Sequence, residues 1–579
     1  MLINALLILL TEILLILCGM AVLRLLHLVL PNFLPQIDTI PLSMLAILGL
    51  IGSTFLAAIA SLFMRINWEF QSFLLIGIIL YTILDRRWIL TRIQKLSKIS
   101  WRLDFYLLVL FGLITALVLA TSADPDRSYD DGLYHLQSVL LITKGAAIPG
   151  IGLLHNRFAY NAIWHVTSAL WGYQFFHPQQ MVYFISTPIL MLNFLLSLFY
   201  YYRTEKNRYM QWSSLLLLIV GITYMVYYRY DFGAVDNNLP SFILTWLTIL
   251  MFLQIAFRFT DVDAKNQESI LFLIFCVFAW TVKISTIMLI IPALYLLNLL
   301  WKNKQSEAIT ASIVSLTLLI PWMGRSLITS GFFIYPPFAK WFGIPFKWQM
   351  PYAMAEENKL VDISWAKIPG TSSQAVSEMS LLEWAPQWFQ LLDRNEKLLI
   401  AATILIVFFS VLSILFKRKE LIETNKLIPS IVFSFWMAAS IIFWFFTYPD
   451  PRFFYGPAIS IIASGMLSFA LWIPVRYRVN YPMLTRSSVT TTIVVIVFIF
   501  VRLNILSEIN YRYIKIHPAE IPQIEIRQVD LNDFTLNLPV SGNQCWGNAI
   551  PCAPDKCSES VYLMGETIFD GLMFIEPNP

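Results

Sequence analysis

Charge is scarce in this chain. Only 13% of its 579 residues are Asp, Glu, Lys or Arg, against about 25% in a soluble domain. What fills the deficit argues against a water-soluble protein: 58% of the residues are hydrophobic. Crossing a bilayer takes roughly 20 consecutive apolar residues, and the runs Leu2 to Leu23, Met181 to Tyr201, Leu398 to Phe416 and Ile428 to Phe446 have that character. The net charge is only +4 and the basic residues are scattered through short loops, so nothing supports nucleic-acid binding. P-loop, GxGxxG, HExxH and GxSxG patterns are missing, which leaves nucleotide-driven transport without support. No basic stretch precedes the first apolar run, so that run is expected to be a retained span rather than a cleaved leader.

Cysteine is also sparse, at five residues. Cys18 and Cys276 stand alone inside apolar runs, where a thiol packs as a small hydrophobe. Cys545, Cys552 and Cys557 crowd the C-terminal tail. Their spacing predicts a disulfide in an oxidising compartment, Cys545–Cys552 or Cys545–Cys557, with one thiol left over. A zinc site is the weaker alternative, because the cluster lacks a histidine and a fourth cysteine.

What is present is a succession of apolar segments. Hydropathy gives roughly fourteen candidate spans, among them 105–121, 211–227, 269–282, 456–474 and 488–503. The fold class expected is an all-α polytopic membrane protein. Aromatic residues make up 15% of the chain and gather near span ends, as in Tyr224 to Tyr230, where amphipathic rings prefer to sit. Basic loops set the orientation. One holds Arg86, Arg87, Arg92, Lys95, Lys98 and Arg102, and four more hold Arg203 to Arg208, Lys302 and Lys304, Lys417 to Lys426, and Arg476 to Arg486. If each span reverses the chain, all five fall on one side, the cytoplasmic one. The segments Ser122 to Gln180, Tyr230 to Asn238, Ser326 to Lys397 and Tyr448 to Phe454 then lie outside, together with a short extracytoplasmic C-terminal tail. Three regions follow: N-terminal membrane helices and a basic loop over 1–104, a membrane catalytic region over 105–504, and the tail over 505–579.

The polar residues of the outer segments are the candidates for chemistry. Asp130 and Asp131 stand side by side before an apolar stretch. A carboxylate so placed acts as a general base or holds a cation, and repulsion between adjacent carboxylates raises the pKa of one of them. The bland alternative is capping, since Asp before a helix accepts backbone N–H groups. Helical spacing puts Tyr134 and His135 on the face of Asp131, and Asn161 on the face of His165. His155, Arg157 and His177 belong to the same loop. The turn carrying Asp236 precedes a span, and capping explains it equally well. Lys283 interrupts an apolar stretch, and an intramembrane charge is a functional suspect unless it snorkels to the interface. Arg325 closes another span. Asp450 and Arg452 share a tight turn, where they are also able to pair simply with each other.

Paired acids in the first large outer loop resemble the GT-C superfamily of membrane glycosyltransferases. The residues that carry the resemblance are Asp130-Asp131, the Asp236 turn, Thr281-Val282-Lys283-Ile284-Ser285 and Pro449-Asp450-Pro451-Arg452-Phe453, over roughly residues 105–455. The last of these, with Cys545-Trp546 and Pro551-Cys552, also looks like a group of bacterial membrane proteins. The chain departs from the superfamily in having three spans before the usual first helix and a shorter tail. The resemblance implies a GT-C-like fold of bacterial type in the inner (plasma) membrane. It also implies sugar transfer from a polyprenyl-phosphate donor to a glycan or lipid acceptor on the extracytoplasmic face, with inversion. Asp130 or Asp131 would be the catalytic base. His135, His155, Arg157, Lys283, Arg325 and Arg452 would bind the donor phosphate. Tyr134, Asp236 and Asp450 would line the cavity, and a divalent metal ion on Asp130 and Asp131 is an optional cofactor. A lipid or solute transporter is the rival reading, but it commonly shows two related halves, and none is evident. An inert structural subunit of an envelope assembly is the third.

Overall fold

The computed structural model describes residues 2–30, 40–97, 128–173, 184–204, 229–257, 262–341, 343–470, 521–547 and 549–576, with single positions between 112 and 122 and at 214 and 217. The chain is a mostly helical, polytopic membrane protein. Among the described residues seven helices are long and apolar enough to cross a bilayer: Leu2–Val29, Leu42–Ala60, Asn238–Phe257, Ile284–Asn303, Gln305–Ser330, Arg394–Phe416 and Leu427–Thr447. Shorter apolar helices occupy Trp68–Leu84 and Ser186–Tyr201. The expected spans at 105–121, 211–227 and 488–503 lie wholly or mostly outside the described residues, as do His177 and much of the basic loops. The segment 269–282 is the second half of one longer helix, Val262–Val282, and 456–474 is represented by Tyr455–Ala470.

Helices α1 (Leu2–Val29) and α2 (Leu42–Ala60) cross at very close range. A Cβ on Gly19 would meet the carbonyl oxygen of Leu45, and one on Gly49 would meet that of Leu15, each at 1.9 Å. Only glycine permits such an approach, which is how helices pack in a lipid that supplies no hydrophobic drive between them. Next come α3 (Trp68–Leu84) and α4 (Arg86–Ser97). Arg24 of α1 grips Asp85 between them through two bonds of 2.6 and 2.9 Å and stacks over Trp88.

The centre of the membrane part is a helix buried along its whole apolar length, Asn238–Phe257. In chain order the helices ahead of it are α5 (Leu136–Lys144), α6 (Ile163–Trp171) and α7 (Ser186–Thr204), which makes it α8. It packs against α9 (Val262–Val282) and, further along the chain, against the helix Tyr455–Ala470. There Trp246 donates its indole N–H to the Gly456 carbonyl at 3.1 Å. Helix α9 ends where Lys283 turns extended (φ −155°, ψ 122°), and a 3-10 turn, Ile284–Leu289, leads into α10 (Ile290–Asn303). Helices α11 (Gln305–Thr317) and α12 (Leu319–Ser330) follow. The segment 331–393 is not an open loop; it holds α13 (Tyr352–Lys367), α14 (Ser373–Glu378) and α15 (Leu381–Leu391). The membrane part closes with α16 (Arg394–Phe416), α17 (Arg418–Glu423), α18 (Leu427–Thr447) and α19 (Tyr455–Ala470).

The tail forms two antiparallel ribbons, β1 (Ile526–Leu531) with β2 (Phe534–Pro539), and β3 (Val561–Leu563) with β4 (Leu572–Phe574). Two two-stranded ribbons cannot bury a core of their own. They build one jointly with the segment 128–173: Leu536, Leu538, Val561 and Leu572 share a cluster with Leu133, Tyr134, Ile148 and Leu153. Polar contacts fix the docking. The Gly132 carbonyl accepts from the backbone N–H groups of Cys545 and Trp546 at 2.7 and 2.9 Å. The Gln137 amide donates to the carbonyls of Trp546 and Ala549, and its oxygen accepts from Cys552 N–H. Of the two disulfides the spacing allows, Cys545–Cys552 is formed and Cys557 is a free thiol. The loop and the tail therefore lie on one side.

Candidate functional site

The site grows out of four chain reversals that meet at one end of the buried helix α8. The first is the start of the Ser128 to Lys144 segment. Residues Asp131–His135 form one wide π-turn before α5, a local geometry often found at functional sites. Capping, the alternative reading of the acids, is not what holds them there. Asp131 is fully buried, and its Oδ2 accepts the N–H of Val235 at 2.6 Å, a contact across the fold rather than along the helix. Asp130 occupies the cap position without a side-chain capping bond.

The other three reversals bring charge to Asp130. In the second, Asp236 accepts from the backbone and side chain of Asn238. In the third, at the end of α9, Lys283 donates to Asn238 Oδ1 and lies 4.2 Å from the centre of the Phe453 ring. Asn237 donates to the Val282 carbonyl, tying the two reversals together. The fourth is the 3-10 turn Pro451–Phe453. Its backbone is held by two indoles, Trp388 to the Pro449 carbonyl and Trp444 to the Asp450 carbonyl, both at 2.7 Å. Asp450 and Arg452 do pair with each other, at 2.7 Å.

Asp130 differs from the other acids. Its oxygens stand 3.9 Å from Arg157 Nη1 on one side and 3.9 Å from Arg452 Nη1 on the other, beyond hydrogen-bond reach. Burial raises the pKa of its carboxyl. Arg452 opposes that shift, Asp236 adds to it, and Arg157 and Lys283 oppose it. Asp130, Arg157, Asp236, Lys283, Asp450 and Arg452 thus form one electrostatic cluster drawn from across the chain.

Behind the cluster lies a layer of rings. The Tyr134 ring is 4.1 Å from that of His135, and the Arg157 guanidinium lies 5.8 Å from its centre. His135 Nδ1 and His165 Nε2 are 2.7 Å apart, both residues buried. Burial pushes the imidazoles of His135 and His155 down to about 3, so both are neutral near pH 7. As phosphate ligands they would offer a neutral ring N–H rather than a positive charge. Asn161 is not on the face of His165, because α6 begins only at Ile163; it bonds instead to the Trp322 carbonyl. Arg325 also stands apart from the cluster. It is buried in α12 and donates to Ser61 Oγ at 2.8 Å.

Asp362 and Tyr160 belong to the site although the sequence did not single them out for it. The Tyr160 hydroxyl donates to Asp362 Oδ2 and accepts from the Asn358 amide. Burial raises the Asp362 carboxyl to about 6, against the pull of the Tyr160 bond and Arg157. Asn358 and Asp362 are four apart on α13 and share a face, a signal present in the sequence.

The donors around Asp130 do not suit a divalent ion. Two guanidinium groups flank it, Asp131 is turned to a backbone N–H, and among the described residues no three His, Cys, Asp or Glu side chains gather as ligands. The arrangement suits an anion bound by Arg157, Arg452 and Lys283, beside a carboxylate able to take a proton.

No curated protein and no solved structure matches the chain. A family model does match, over residues 1–459, which includes every residue of the charged cluster and stops short of the tail. By that match the chain belongs to the family described as a domain of unknown function, DUF8201.

Proposed function

We propose that this protein is a membrane glycosyltransferase that moves a sugar from a polyprenyl-phosphate donor to a hydroxyl acceptor, a glycan or a lipid. The observation that carries the reading is the Asp130 carboxylate: among the described residues it accepts no hydrogen bond, and it is set between two arginines. In the reaction Asp130 takes the proton of the acceptor hydroxyl as its oxygen bonds to the anomeric carbon. The bond from that carbon to the donor phosphate breaks, and its electron pair leaves on the phosphate oxygen. Arg157, Arg452 and Lys283 hold the anionic leaving group, a task for preorganised charge. Attack opposite the leaving group inverts the anomeric centre. The GT-C-like fold, with roughly fourteen spans by hydropathy, is part of this proposal. So is placement in a bacterial plasma membrane with the site on the extracytoplasmic face. The basic loops support that sidedness, and so does the disulfide of the docked tail.

The test is transfer by the purified protein in liposomes, using labelled polyprenyl-phosphate sugars and extracts of envelope glycans and lipids as acceptors. Sugar transfer that disappears in Asp130→Asn is expected. Movement of an intact lipid or solute across the bilayer without cleavage of the donor would replace this reading with a transporter.

A further inference from the structure

The Arg325 guanidinium is nine-tenths buried, yet among the described residues it has no carboxylate partner. Its Nη1 donates to Ser61 Oγ, while its Nε has no hydrogen-bond partner. Arginine cannot escape such a position by losing its proton, and a buried charge left without a counter-charge is a strong destabilising feature. Arg325 does not face packed side chains alone. It lines a cavity of about 40 Å³ between α12 and the first outer loop, together with Asn161, His165, Thr329 and Tyr160. That is room for roughly three water-sized groups. No acidic residue lines it. Ser61 braces the site, since its backbone carbonyl also accepts from Ala147 N–H, on the cavity wall. Asn161 and Trp322 lock the loop to α12 by reciprocal bonds.

We infer that this cavity is a second binding site, for a phosphate group, distinct from the Asp130 cluster. A phosphate oxygen would complete the guanidinium from the cavity side, where Thr329 and Asn161 offer further polar groups. Tyr160 forms the wall between the two sites, since it also bonds Asp362. Arg325 lies five residues from the end of α12 at Ser330, about 7.5 Å along a helix axis. That depth is within reach of both a lipid head-group phosphate and free phosphate. The inference stands on Arg325 and its cavity and does not depend on glycosyl transfer.

The experiment titrates the full-length protein in nanodiscs of uncharged lipid with inorganic phosphate and, separately, with geranyl phosphate, following tryptophan fluorescence and melting temperature. Saturable binding of at least one probe is expected. Saturation by inorganic phosphate identifies a soluble anion site, and saturation by geranyl phosphate alone identifies a lipid phosphate. Arg325→Gln should weaken binding by about tenfold or more, the loss of a charged hydrogen bond. Arg325→Lys should retain part of it. All titrations are made in the Arg452→Gln background, which removes a cation of the Asp130 cluster and keeps anion binding there from masking the cavity. Should Arg325→Gln fail to fold, Ala147→Leu keeps the arginine, fills the cavity and should abolish binding. No saturable binding of either probe overturns the proposal. So does binding that, in the Arg452→Gln background, survives both Arg325→Gln and Ala147→Leu.

Discussion

Asp130 and Arg452 face each other across 3.9 Å without closing that distance to a hydrogen bond, while Arg452 holds Asp450 at 2.7 Å. The arginine is thus anchored by one acid and presented to the other. A carboxylate kept close to positive charge but outside its grip stays available as a proton acceptor. Its ionisation is then set by the opposing pulls of burial, Arg452 and Asp236.

That balance gives a signed pH prediction. A base works when deprotonated, so transfer should rise with pH through the raised pKa of Asp130. Arg452 lowers that pKa and Asp236 raises it. Arg452→Gln should therefore move the acid limb of the kcat/KM profile to higher pH, and Asp236→Asn should move it to lower pH. The shifts should shrink in high salt, which screens partly exposed charges. Equal or same-direction shifts in the two variants would remove Asp130 as the group being titrated.

The tail disulfide closes a loop of seven residues' separation. Chain entropy assigns such a loop about 2 to 3 kcal/mol. Reduction, or the pair Cys545→Ser and Cys552→Ser, should expose residues 521–576 to protease while the membrane helices remain intact. Unreduced peptide mass spectrometry should show Cys545 joined to Cys552 and Cys557 free. A bond to Cys557 would contradict the structure.

The charged cluster is legible in the sequence as charge in short turns beside apolar spans, or within one. Lys283 shows this most directly, because a charge inside an apolar stretch is expensive; Asp236 and Arg452 are legible instead as charges in short turns beside spans. The sequence could not show which contact each acid makes. Asp131 reads as a helix cap from its neighbours, but the N–H it accepts comes from Val235, 104 residues away. Asp362 was hidden among the many polar residues of its segment, and its role rests on Tyr160, 202 residues distant. Arg325 was visible as a charge, but its separation from Arg452 depends on how α12 packs on Ser61. The tail was legible as too small to stand alone. That it completes its core on the segment 128–173 required pairings such as Tyr129 with Asn543, which no local pattern encodes.

Gly132 is where that docking is tightest. Its carbonyl takes two N–H groups from the tail, and a Cβ there would lie 2.7 Å from the Trp546 ring and 2.8 Å from the Gln544 amide. Trp546 has little freedom to yield, since its backbone is already left-handed at φ +47°. Gly132→Ala should destabilise the docked tail by about 1 to 3 kcal/mol, the usual cost of overpacking. Hydrogen exchange of residues 526–539 should quicken accordingly. Gly542→Ala has open space around it and a strained φ of +69°, so it should leave the docking contacts intact. Unchanged exchange in Gly132→Ala would mean that the tail is held elsewhere.

The adjacent acids Asp130 and Asp131 should separate cleanly into a chemical and a structural residue. Asp130 is partly exposed, accepts no hydrogen bond among the described residues and has its charged form disfavoured by burial. A carboxyl whose folded pKa is raised gives stability at low pH and loses it as pH climbs through that pKa. Asp130→Asn removes the ionisation and should leave thermal stability at neutral pH equal or slightly higher. Its transfer rate should fall by about 100- to 10,000-fold, the usual worth of a general base. Asp131 is buried and occupied by the Val235 N–H. Asp131→Ala orphans that donor and should cost about 1 to 3 kcal/mol, seen as a lower melting temperature. Any loss of activity should follow the loss of folded protein. Asp131→Asn keeps an acceptor oxygen for Val235 and should recover most of the stability. Melting curves and transfer from a polyprenyl-phosphate sugar, measured on the same three preparations, decide the matter. A fully active Asp130→Asn, or an Asp131→Ala that melts like the parent yet transfers nothing, would reverse the two roles.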